Sequence, residues 1–175
     1  MKRRRLGGVP VEPRSSGELG GEAVRDGTEI LRRREADEAD ASAARRHYRS
    51  CPMAGLTPND EITPLLACDE RVLSVRTLSA IDRRHAGSAD RCGLQGPLYL
   101  TSSRLVLLGS TILSFPLEEI EDAIVSGDRL LLALRGGSGV AIMVERPRLL
   151  RVEIAAARAS ARRWRSGSSS RPESA

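Results

Sequence analysis

Residues 96–109 read GPLYLTSSRLVLLG, and the fold turns on whether this stretch is a membrane span, part of an enzyme's sheet or the wall of a small barrel. Carried on to Leu117, it has the length of about twenty residues that a bilayer-crossing helix needs. Yet Arg104 falls near its middle, Thr101, Ser102 and Ser103 come just before, and Gly109 and Pro116 follow. Each is costly or disruptive in a lone spanning helix. A hairpin accounts for all of them: Leu98 and Leu100 share one face with Tyr99 on the other, the three hydroxyl residues make the turn, and RLVLL resumes as a second strand.

Upstream, LLACDERVLSVRTLSAI (65–81) contains an alternating, strand-like run from Val72 to Leu78. A long polar loop, IDRRHAGSADRCGLQ (81–95), separates it from the hairpin. Downstream, TILSF (111–115), the run Ile120 to Val125, RLLLALR (129–135) and VAIMVE (140–145) are further strands, separated by LEE, SGD and GGSG. Pro116 removes a ladder donor and belongs at an edge or corner. Seven short strands without an intervening helix predict a mainly β fold, an antiparallel barrel or sandwich, and exclude a βαβ plan.

The sequence after the last strand, ERPRLLRVEIAAARASARRWR (145–165), predicts one amphipathic helix with Pro147 in its first turn. Leu150, Ile154, Ala157, Ala161 and Trp164 form its apolar stripe, which should lie over an open end of the barrel. Residues 1–60 form a charged, low-complexity extension, partly helical around 28–49, where acids and arginines interleave as on a solvated face. The folded domain is expected over 62–165 and a disordered tail over 166–175.

One Trp, two Tyr and one Phe leave the core to Leu, Ile, Val and Ala. The net charge of +5 is unevenly placed. Residues 61–145 hold 8 basic and 11 acidic groups, whereas residues 146–175 hold 8 and 2. An acidic core with few aromatic platforms argues against specific nucleic-acid binding. Three cysteines without a C-x-x-C pair indicate neither a disulfide framework nor a zinc site, and no apolar stretch follows MKRRR as in a signal peptide. A cytoplasmic location is expected, extending at most to the inner face of the membrane.

No combination of nucleophile, base and orienting group is apparent. His47 and His85 are flanked by arginines in polar segments, and Gly136-Gly137-Ser138-Gly139 lacks the Lys and following helix of a phosphate-cradling loop. The expectation is a protein without catalytic activity, cofactor or metal.

LLACDERVLSV, GPLYLTSSRLVLLG, FPLEEIEDAIV and DRLLLALRGGSGVAIMVERP together resemble the GRAM and related bacterial pleckstrin-homology-like (PH-like) domains over about residues 62–163. The shared features are an acid entering the first strand, a G-x-L-Y-L-T-x-x-R-L hairpin, an aliphatic-P-L-x-x-I turn and a glycine-bearing hairpin before the terminal helix. The resemblance implies a PH-like barrel of about seven strands with one C-terminal helix, acting as an interaction module or adaptor for a protein or peptide partner. It also implies an alternative, a peripheral module on anionic lipid headgroups. Arg76, Arg83, Arg84 and Arg91, on the first strand and the loop after it, are the candidate anion ligands, because arginine forks match phosphate oxygens. Arg162, Arg163, Trp164 and Arg165 are the candidate interfacial residues, although Trp164 also continues the helix's apolar stripe. Arg104 is expected to pair with Glu118, Glu119 or Glu121.

Overall fold

The computed structural model describes residues 19–82 and 94–168, with side chains described over 27–81 and 94–163. Two compact units divide it, Met1–Arg33 and Arg34–Ala175. In the first, helix α1 (Leu19–Ser50) begins, and Glu29 and Arg33 pair at 2.9 Å on its exposed surface. Everything below concerns the second unit.

Seven antiparallel strands follow: β1 Val72–Asp82, β2 Leu94–Thr101, β3 Arg104–Leu108, β4 Ile112–Pro116, β5 Ile120–Ser126, β6 Arg129–Leu134 and β7 Gly139–Val144, and then helix α2, Pro147–Ser168. The mainly β fold with one C-terminal helix is therefore as the sequence predicts. The strand order is β4-β3-β2-β1-β7-β6-β5, so the sheet is open, with β4 and β5 as its edges. Its centre is β1, which pairs with β2 along its length and with β7 through Ser79–Asp82. Register shifts at Val72/Ser74 and Arg76/Ser79 interrupt its ladder with β2; irregularities of this kind bend and twist a strand. One core then draws on both halves of the sheet: Leu98, Leu100, Leu105 and Leu107 from one side, Leu130, Leu132 and Ile142 from the other, with Leu150, Ile154 and Ala157 of α2.

The glycines that bracket the opening stretch have a steric reason. A Cβ built on Gly96 would stand 1.9 Å from the carbonyl oxygen of Leu108, and one on Gly109 would stand 2.9 Å from that of Gln95. The two strands cross there at a distance that only hydrogen on Cα allows.

The outer face of β1–β3 is covered by the chain that precedes it. Ile62, in the turn before a short 3-10 helix (Thr63–Leu65), is fully buried against Val72, Tyr99 and Val106, with Leu65 and Leu66 beside it. The Tyr99 hydroxyl lies 3.0 Å from Asn59 Nδ2.

The second half of α1 is not merely solvated. Ala41 has no exposed surface and Asp37 is 3 % exposed. The Asp37 carboxylate accepts hydrogen bonds from the backbone N–H groups of Arg148 (2.9 Å) and Leu149 (3.0 Å), at the start of α2. With no acid of its own in the first turn, α2 takes its cap, and the charge that complements its dipole, from another helix. Arg146 pairs with Asp40 at 3.0 Å and Arg148 with Glu38 at 3.3 Å around the same contact. Hydropathy periodicity misses this docking because it rests mainly on the acids Asp37, Glu38 and Asp40, with Ala41 as the one fully buried apolar residue among those described in the helix.

Two outcomes follow from this packing. Asp37→Ala should lower unfolding free energy by about 1–2 kcal/mol, the loss typical of a helix cap, as measured by denaturant titration. Gly96→Ala should cost about 1–3 kcal/mol, as overpacking does, because a backbone carbonyl must move, whereas alanine at the exposed Gly55, where a Cβ would meet its nearest neighbour at 3.7 Å, should be nearly neutral.

Candidate functional site

At the start of β1 the sequence DER places Glu70 beneath the β2–β3 turn. Its side chain is 3 % exposed and almost every acceptor position is filled. Thr101 Oγ1 and Ser103 Oγ donate to Oε1, each at 2.6 Å. Arg104 donates Nε to Oε1 and Nη2 to Oε2, both at 2.9 Å, a bidentate fork. The Ala67 N–H donates to Oε2 at 3.0 Å. Arg104 also reaches the Leu65 carbonyl, and Ser102 Oγ accepts from the Arg71 N–H at 3.1 Å. The acid-entry and LYLTSSRL motifs are thus two sides of one knot. Arg104 pairs with Glu70 and not, as expected, with Glu118, Glu119 or Glu121, because the turn brings it back over the first strand's entry, where the Glu70 carboxylate accepts its fork. Burial alone raises the Glu70 pKa, but the donors from Arg104, Ser103, Thr101 and Ala67 outweigh it and hold the carboxyl at about 2.

This knot forms one wall of an open groove of about 1600 Å³. The end of α1 and the segment after it (Tyr48–Met53) form a second wall, the bend Pro116–Glu118 a third, and α2 from Ala157 to Arg163 a fourth. Met53, Leu73, Leu117 and Ala157 are buried along it. Arg49, Arg71 and Arg163 are exposed at its rim, interspersed with Asp69 and Glu118. Arg163 donates to Ser160 Oγ at 3.2 Å. Cys51 and Cys68, both exposed free thiols, also line it.

A second polar network lies under α2. Glu153 is the only acid in that helix and is 6 % exposed. It accepts from Ser74 Oγ and Arg76 Nη2, both at 2.8 Å. Tyr48 is close enough for both charges to act on it. Burial raises its pKa first, the Glu153 charge adds to the rise, and Arg76 opposes it.

The candidate ligands separate accordingly. The Arg76 side chain is 13 % exposed and engaged with Glu153, where it joins β1 to α2. Arg83, Arg84 and Arg91 lie outside the described residues. Arg162 and Arg163 are exposed on α2; the side chains of Trp164 and Arg165 lie outside the described ones. A smaller cavity of about 260 Å³ gathers Arg135, Arg158 and Arg162 with Leu117 and Glu118. Sequence reasoning passed over Glu153, although its isolation in a helix of arginines was a signal that it neutralises something beneath. Among the described residues no group of three or more His, Cys, Asp or Glu could hold a metal ion, and no helix is long and apolar enough to cross a membrane.

Glu70 gives a signed pH dependence. Its carboxyl is held at about 2 in the fold and returns on unfolding to its ordinary value near 4.5. Its contribution is complete above pH 4.5 and is lost as pH falls from there towards 2. Glu70→Gln should flatten the decline in unfolding free energy over that window, and Glu70→Ala should cost about 2 kcal/mol near neutral pH by leaving Arg104 unpaired. Urea titrations at a series of pH values measure both.

No family model and no curated protein matches the chain. Among solved structures, it is distantly similar to the C-terminal domain of an unknown protein from Leishmania infantum, with a TM-score of 0.39 and 19 % identity over 57 % of this chain and 89 % of that one. It is also distantly similar to the hSac2 domain of the human phosphoinositide phosphatase Sac2, with a TM-score of 0.33 and 13 % identity over 62 % and 78 % of the two chains. Likenesses this distant carry no information about what the chain binds.

Proposed function

We propose that this chain is a non-catalytic interaction module of the PH-like (GRAM-like) kind that binds a segment of a protein partner in the groove between the sheet end and α2. The observation that carries the reading is the groove itself: about 1600 Å³, walled by four segments, with buried aliphatic side chains below and arginines at the rim. Small-molecule pockets run to about 300–1,000 Å³ and enclose most of their ligand, so an open trough of this size suits a peptide. The Glu70 knot, saturated by its own turn, serves as a rigid wall. Aliphatic side chains of the partner would enter beside Met53 and Leu117, and its acids would meet Arg49, Arg71 and Arg163. Charges at a rim contribute mainly to encounter rate and selectivity, and apolar anchors to affinity.

A second reading, an anionic lipid headgroup, is favoured by the small cavity that collects Arg135, Arg158 and Arg162. It is the weaker one, because Glu118 shares that cavity and Arg76, expected among the ligands, is engaged with Glu153.

The test is selection of short random peptides displayed on phage against the purified chain, followed by fluorescence polarisation. Enriched peptides should combine aliphatic and acidic residues. They should bind Arg71→Glu or Ala161→Glu at least about tenfold more weakly, a difference of about 1.4 kcal/mol, with circular dichroism unchanged. Selection of no peptide, together with sedimentation on anionic but not neutral vesicles that is abolished in Arg158→Ala/Arg162→Ala, would replace this reading by the headgroup one.

A further inference from the structure

The outer face of the sheet is treated differently in its two halves. Over β1–β3 the chain covers it with Ile62, Leu65 and Leu66. Over β5, β6 and β7 no described residue of the second unit covers it, and it is apolar. Ile124, Leu131 and Ala141 stand side by side across the three strands; Ile124 is 53 % exposed and Leu131 38 %. In the neighbouring row, Met143 (42 % exposed) stands beside Ala80 of β1, with Leu78 (66 % exposed) two residues before it. Scattered surface leucines need no explanation, but a contiguous apolar sheet face marks a surface that something covers.

The charges on this face indicate what covers it. Arg129 lies in the row on one side of the Ile124–Leu131–Ala141 line, paired across the ladder with Ser126 and Met143. Asp122 lies in the row on the other side, paired with Ala133. A two-fold axis laid along the middle line, in the plane between two facing copies, carries each side row over the opposite one. Arg129 of one copy then faces the Asp122 row of its partner, twice by symmetry, while Ile124, Leu131 and Ala141 meet their own copies; Asp82 of β1 continues that line beyond Ala141 and lies outside the β5–β7 patch. Stacked sheets lie about 10 Å apart, a gap that an arginine and an aspartate side chain span together. Such a surface is self-complementary, as an isologous interface must be.

We propose that the chain forms a homodimer through the outer face of β5–β7, with the two sheets packed face to face about that axis. The inference does not depend on the groove or on its ligand. In the dimer both grooves stay open, since α2 lies against the inner core and the interface uses the opposite face of the sheet.

Sedimentation velocity of the full chain from micromolar to millimolar concentration is the test. A concentration-dependent dimer is expected, and Leu131→Asp should convert it to a monomer with an unchanged circular dichroism spectrum, since that side chain points away from the core. Arg129→Asp alone and Asp122→Arg alone should each weaken self-association at least about tenfold. An equimolar mixture of these two variants should recover dimer, because every facing pair in the mixed species is again opposite in sign. The mixing arm keeps the test decisive even if Leu131→Asp fails to fold. A chain that is monomeric throughout, or a dimer indifferent to these variants and their mixture, would overturn the proposal.

Discussion

The rest of the structure depends on one buried carboxylate. Glu70 receives two hydroxyls, an arginine fork and a backbone N–H, and so ties the entry of the central strand to the turn of the adjoining hairpin. A buried acid with a single partner would be a poor source of stability, because desolvation offsets most of the attraction. Here nearly all its lone pairs are satisfied, the condition under which a polar cluster specifies geometry. The central strand then starts at a defined point, and every register on both sides of it follows, since a slip of one residue would invert the faces of the sheet.

Most of the strand pattern was legible in the sequence. Alternation and turn residues place β3 to β7 within a residue or two of where they lie, and the stripe Leu150, Ile154, Ala157 is buried as its spacing requires. What was not legible falls into two kinds. Long-range choices of polar partner, Glu70 for Arg104 or Glu153 for Arg76, depend on which turns meet in space, and spacing along the chain does not encode that. The interruptions in β1's ladder depend on how two half-sheets close over a shared core, which alternation within one strand cannot report. The groove could not be read from sequence at all, because its walls come from four separated segments that share no motif.

The candidate site shows why arginine counts are a poor guide to ligands in this chain. Arg76 and Arg104 are both held by acids, one under a helix and one under a turn. Each neutralises a carboxylate whose burial would otherwise be costly. The rim arginines look no different in sequence, and only their exposure separates them. The open outer face of β5–β7 and the covered outer face of β1–β3 are likewise similar in composition, and differ in whether a preceding segment folds back over them.

The cap on α2 also bears on the order in which the molecule assembles. Asp37 and the N–H groups that it receives are 111 and 112 residues apart, so the contact closes a loop that contains the whole sheet. Closing so long a loop late, after the strands have drawn its ends together, avoids most of its entropic cost. During synthesis the acid precedes its helix by the entire sheet. The folded unit is therefore sealed at its C-terminal end, and α1 acquires its full set of contacts only when α2 has formed.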